Sequence, residues 1–138
     1  MSAESNKALS RRWYEEVWNQ GNAAVIAEIL AEDAVVHGNG PDQRGPAEFE
    51  AFFAGYRAMF SNIHFEIEDL VAEGDTVATR WTCTAAHTGD GMGVQATGQT
   101  VNLTGMSFVK VEHGKVIEAW NNFDHLGLFQ QMGVVNLP

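Results

Sequence analysis

From Ile63 onward the chain repeats one pattern in four successive runs, and that pattern fixes most of what it can fold into. In Ile63 to Glu73, the apolar Ile63, Phe65 and Ile67 alternate with His64, Glu66 and Glu68. Thr76 to Thr88 is long and rich in Thr, Val and Trp. Thr100 to Glu112 and Lys115 to Phe123 follow in the same style. A period of two is the signature of a strand with one buried face. The connections are Glu73-Gly74-Asp75, the Gly-rich stretch Gly89 to Gly98, and His113-Gly114. Turns this short join antiparallel neighbours, so the second half is expected to be a four-stranded antiparallel meander.

The first half reads differently. Ser5 to Gln20 spaces Leu9, Trp13, Val17 and Trp18 as a helix does. Gly21-Asn22 stops it and starts a second helix, with Asn22 as its expected cap and Val25, Ile26, Ile29 and Leu30 on one face. Ala34 to His37 is a short strand candidate. Pro46 suits the first turn of a third helix, whose Phe49, Phe52, Phe53, Tyr56 and Phe60 form an aromatic stripe. A short helix is expected after Asp124. Long successive strands curl, and the helices must cover one face. The expected fold is α+β, a cone-shaped curved antiparallel sheet covered by N-terminal helices, in a single domain spanning 1–138.

Composition narrows the function classes. Eighteen acids against eight Lys and Arg leave a net charge of −10, which disfavours nucleic acid and acidic lipid surfaces as partners. No apolar run approaches the roughly 20 residues of a membrane span. The polar N-terminus lacks a secretory pattern, and the single Cys83 fits a reducing compartment. A cytoplasmic protein acting on an apolar or aromatic small molecule is the expectation. There is no phosphate-binding Gly-x-x-x-x-Gly-Lys loop, no dinucleotide fingerprint and no Gly-x-Ser-x-Gly elbow. The histidines lack the close pairing of helical metal sites. A metal would need His37, His87 and Asp124 to converge in space, and neither metal nor cofactor is expected.

Asp124 is the residue with the most chemistry to offer. It ends the last β-run, framed by Trp120 and Phe123. A pocket there could strip the carboxylate of water and raise its basicity for proton abstraction. Equally, an Asp just before a helix is a preferred N-cap. Strand alternation puts Trp120, Asn122 and Asp124 on one face, with Asn121 and Phe123 on the other. It likewise separates Arg80, Thr82 and Thr84 from Trp81, Cys83, Ala85 and His87. Alternation alone does not say which face is inside. Arg80 is either an outer-face ion-pair partner or a cavity residue. His87 is either a solvated rim residue or a proton partner of Asp124. His37 suits a pocket mouth or a structural role.

Several ordered motifs together resemble the SnoaL-like polyketide (ester) cyclases. They are Arg80-Trp81 through His87-Thr88-Gly89, Gly93, Ala96-Thr97-Gly98 and Val101, then Gly114 to Trp120, Asp124 and Leu126 to Gly133. Tyr14 to Asn22, Asp33 to His37 and Gly45-Pro46 match as well. The resemblance implies a nuclear-transport-factor-2-like fold, usually dimeric or higher through the sheet. It implies cofactor-free intramolecular aldol closure, with Asp124 as general acid/base. On this reading Asp124 and His87 are catalytic. The expected substrate contacts are His37, Trp13, Tyr56, Arg80, Met106, Phe108, Trp120 and Asn122. Two alternatives stay open: an epoxide-hydrolase-type enzyme, which needs Arg80 and an acid such as Glu66 or Glu68 inside the cavity, and a binder without turnover.

Overall fold

The computed structural model describes residues 2–136. Ala3–Arg12 forms helix α1, opened by a reciprocal cap in which Ser5 N donates to the Ser2 hydroxyl and Ser2 N to the Ser5 hydroxyl. The helix runs on into a π-helical turn, Trp13–Asn19, where Gln20 N reaches back five residues to Glu15 O (3.1 Å). Such a turn is wider than an α-turn, and it brings Trp13, Tyr14 and Trp18 all to the sheet side. Asn22 does not cap α2 (Ala24–Ile29) as expected. Gly21, at φ +69°, swings the chain so that the N-cap falls on Ala23, and Asn22 supplies only its carbonyl to Val25 N.

Strand β1 (Leu30–His37) begins four residues before the expected Ala34, since Leu30 leaves α2 already extended. The two-residue β2 (Gln43–Arg44) leads into α3 (Gly45–Met59), with Pro46 in its first turn. The expected meander follows as β3 (Phe60–Glu73), β4 (Thr76–His87), β5 (Thr100–Glu112) and β6 (Lys115–Phe123), then α4 (His125–Gln131). The six strands lie in the order β2-β1-β6-β5-β4-β3. Every pairing is antiparallel except β1 with β6, which is parallel.

Bulges bend this sheet. The β3–β4 register shifts between Ser61 and His64, where Asn62 has φ +52°, and again between Ile67 and Asp69. The β5–β6 register shifts beside Lys110. Each extra residue increases local twist, so the open sheet curves around α1, the π turn and α3. Trp18, Phe49, Phe53 and Trp81 pack in the main core between them. A second cluster at the end of the sheet joins Met59, Phe60, Ala85 and Val101 to Leu128 and Met132, contributed by α4 and the residue after it. The β5 backbone beyond the end of β6 is satisfied by a side chain: Gln131 accepts from Asn102 N (2.7 Å) and donates to Asn102 O (2.8 Å). No helix among the described residues is long and apolar enough to cross a membrane.

Candidate functional site

A cavity of about 110 Å³ lies between the concave sheet face and the helices. Its floor is set by alternation. The β4–β5 register runs without a break from Thr76↔Lys110 to Ala86↔Thr100, so Thr79, Trp81, Cys83 and Ala85 face inward across from Leu103, Ser107 and Val109. Ala119, Asn121 and Phe123 continue the floor on β6, and Trp13, Tyr14, Trp18, Phe49, Phe52 and Tyr56 form the roof. Trp81 can lie flat over the sheet because its partner on β5 is Gly105: a methyl group there would collide with the indole.

A hydrogen-bonded polar cluster on the floor and roof interrupts the apolar lining, and Ser10 and Asn39 add polar groups beside it. Tyr14 Oη donates to Ser107 Oγ (3.0 Å), Trp81 Nε1 donates to the same oxygen (3.4 Å), and Ser107 donates to Asn121 Oδ1 (2.5 Å). Two acceptances and one donation occupy the serine. Because Asn121 Oδ1 is taken by a donor, its Nδ2 is left as a donor group of the cavity wall. Burial pushes the Tyr14 phenol up to about 12, against the pull of its bonds to Ser107 and Thr79. Burial likewise raises the Cys83 thiol to about 12 and the Tyr56 phenol above its usual range. These groups are neutral at physiological pH. The described lining contains no Asp, Glu, Lys, Arg or His.

Of the expected contact residues, Trp13 and Tyr56 line the cavity. The others sit elsewhere, because unbroken alternation turns them to the convex face. Met106, Phe108 and Trp120 are 61%, 48% and 37% exposed. Asn122 is exposed beside them. Arg80 points outward to Asp69 (Nε–Oδ2 2.7 Å), and Glu66 and Glu68 are exposed, with Glu68 accepting from Thr82. The inward Arg80 and cavity acid required for epoxide-hydrolase chemistry are therefore not in place. His37 faces outward between Asp42 and Glu118.

His87 is on the inward face, yet it is no solvated rim residue: it is fully buried, packed on Phe60 with ring centroids 5.3 Å apart. Its Nδ1 accepts from Thr97 N (3.3 Å) and meets Thr97 Oγ1 at 3.0 Å, which places the ring proton on Nε2. That Nε2 has no partner among the described residues. Asp124 is exposed and fulfils the capping role, its Oδ1 accepting from Gly127 N (2.8 Å). No hydrogen bond joins it to His87, and His37, His87 and Asp124 do not converge.

The whole architecture has known counterparts. The family model described as SnoaL-like polyketide cyclase matches residues 8–132. The chain belongs to that family. DnrD of Streptomyces peucetius and DauD of Streptomyces sp. (strain C5), both named aklanonic acid methyl ester cyclases, are each 25% identical to it over 122 residues. Those residues cover 86% of this chain and 84% and 76% of the respective relatives. The crystal structure of AclR from Streptomyces galilaeus, whose hydroxylase assignment is provisional, superposes with a TM-score of 0.88 at 29% identity. That match covers 98% of this chain and all of AclR. A cyclase/isomerase-type small-molecule function follows at the level of the family. In SnoaL-like terms the C-terminal motif, Gly114 to Trp120 and Asp124, runs along β6 into the cap of α4. The same strand carries Asn121 and Phe123 into the cavity wall.

Proposed function

We propose that this SnoaL-like protein closes a ring in an uncharged, flat, carbonyl-rich molecule without a cofactor, using Asp124 and Asn121. The observation that carries the reading is the neutral cavity, in whose wall Ser107 orients the Asn121 amide. A wall whose described residues include no cation offers nothing to a free carboxylate, whose burial unpaired is costly, and suits its ester. The relatives named for aklanonic acid methyl ester fit that chemistry.

Asn121 Nδ2 donates to the carbonyl that is attacked, and Ser107, fixed by Tyr14 and Trp81, holds the amide in that orientation. Asp124 stands one residue beyond the wall residue Phe123, at the exposed end of β6. Its Oδ2 is the base. A ring seated over Phe123 would strip water from that oxygen, and desolvation makes a carboxylate a stronger base. Oδ2 takes a proton from carbon next to a carbonyl. The enolate carbon bonds to the carbonyl held by Asn121, and the resulting alkoxide takes the proton back from Asp124. The product is an isomer of the substrate. His87 is assigned a positioning role, holding Thr97 and the Gly89–Gly98 loop behind the wall.

Incubation with aklanonic acid methyl ester and with its free acid tests this. The expected outcome is a ring-closed isomer from the ester and little from the acid, with Asn121→Leu slower by about 10²–10³, the usual loss for one oxyanion donor. Equal conversion of acid and ester, or an unaffected Asn121→Leu, would overturn it. The absence of an acid or base from the described lining favours one second reading, a binder of apolar ligands. Tight binding of the ester with no isomer formed would select that reading.

A further inference from the structure

One edge of the sheet carries a histidine with a carboxylate on each ring nitrogen. His37 Nδ1 lies 3.0 Å from Asp42 Oδ1, and Nε2 lies 2.7 Å from Glu118 Oε2. A neutral imidazole has one N–H and one lone pair, and ionised carboxylates only accept. Only the imidazolium satisfies both contacts. Its face stacks on Trp120, with centroids 5.5 Å apart and planes at 25°, a placement that also favours the cation.

These partners come from two separate parts of the chain. Glu118 and Trp120 belong to β6, whereas Asp42 ends the Gly38–Asp42 loop that follows His37. That loop is also a wall of the cavity. Asn39 lines it, and Gly38, at φ +96°, lies so close to the Asn121 carbonyl that a side chain there would collide with it. From inside, the buried Gln43 ties the loop by donating to Pro41 O (3.1 Å) and accepting from Asn39 Nδ2 (3.2 Å). The Gln43 tie does not titrate. The His37 tie does.

We propose that His37 is a proton-operated latch: its imidazolium ties the Gly38–Asp42 wall of the cavity to β6, and its deprotonation frees that wall for ligand entry and release. This rests on the cavity being the ligand site, as proposed above. The charged groups around the ring are Asp42 from the loop, Glu118 from β6, Lys110 opposite Glu118 on β5, and Arg44 on β2 opposite Val35. The two carboxylates make direct contact. Hydrogen bonding to Glu118, then to Asp42, raises His37 above its ordinary 6.5. The tie is therefore present at lower pH and is lost as pH rises through that raised value.

Nuclear magnetic resonance of the full chain from about pH 5 to 9, the range in which histidines titrate, tests the latch without any ligand. The amides of Gly38, Asn39, Gly40 and Asn121 should shift with the His37 ring, at one midpoint above 6.5. In Glu118→Gln that midpoint should fall. The neutral fluorophore N-phenyl-1-naphthylamine then reports the function of the wall. Its dissociation should quicken severalfold across the midpoint in the unsubstituted protein and be fast at every pH in His37→Gln. Loop amides that ignore the His37 titration, or dissociation with the same pH profile in His37→Gln, would overturn the latch. A probe that does not bind overturns the ligand-cavity reading beneath it. Ring closure that fails while the titration linkage persists counts against the proposed reaction alone.

Discussion

The orientation of one amide decides how the cavity can treat a carbonyl. Asn121 Oδ1 is committed to Ser107, so the group left for a ligand donates rather than accepts. The arrangement depends on Tyr14 remaining a phenol, and burial secures that by pushing it up to about 12. Tyr56, the only other tyrosine, is also raised by burial. The folded protein should therefore show little tyrosinate absorbance at 295 nm at pH 10, where an unburied phenol is half ionised. The linkage has a definite sign. Near pH 10 and above, the unfolded chain loses phenolic protons that the folded state keeps, so stability falls as pH rises toward about 12. Half-maximal tyrosinate absorbance at pH 10 in still-folded protein would contradict the buried relay.

At the scale of elements, β4, β5 and β6 do the positioning, and a small residue makes the floor flat. Gly105→Ala places a methyl where the Trp81 indole lies. Its backbone φ is not in the left-handed region, so the cost is overpacking, typically about 1–3 kcal/mol. Chemical denaturation should show that loss, and N-phenyl-1-naphthylamine binding should weaken as the indole is pushed into the cavity. Unchanged binding would mean that Trp81 does not set the floor. The four β-runs and the aromatic helix were legible because alternation and helical spacing write burial directly into sequence. Alternation also grouped Arg80 apart from Trp81, and Trp120 apart from Asn121. Which group faces inward was not legible there, because aromatic and apolar residues occupy both faces: Met106, Phe108 and Trp120 look like cavity residues and lie outside. The apolar company of Trp81, with Cys83 and Ala85, was the available signal for the inner face. The π turn leaves no mark in the spacing, so the inward placement of Tyr14 is not legible there. The Ser107 relay depends on residues 93 apart in sequence, which no local pattern announces.

For the whole molecule, the convex sheet face carries large exposed apolar side chains. Met106, Phe108 and Trp120 form an exposed apolar group on adjacent strands, and Phe108 packs edge-on against Trp120. The sequence expectation of a homodimer or higher assembly through the sheet is retained as a proposal on this face. Each copy carries a net charge of −10, so association should strengthen with added salt, which screens that repulsion. Sedimentation should show a dimer that Phe108→Lys converts to monomer without disturbing the cavity. A monomer in the unsubstituted protein, at low and high salt alike, would contradict it.

Ring closure as proposed joins this cavity to a base at its edge, and Asp124→Asn tests that pairing most directly. Asparagine caps a helix as well as aspartate does, so α4 should stay docked and thermal stability should change little. The measurement is kcat and KM for ring closure of the ester substrate. Loss of a general base should lower kcat by about 10²–10⁴ with KM nearly unchanged. A folded Asp124→Asn protein that closes the ring at the unsubstituted rate would contradict the account.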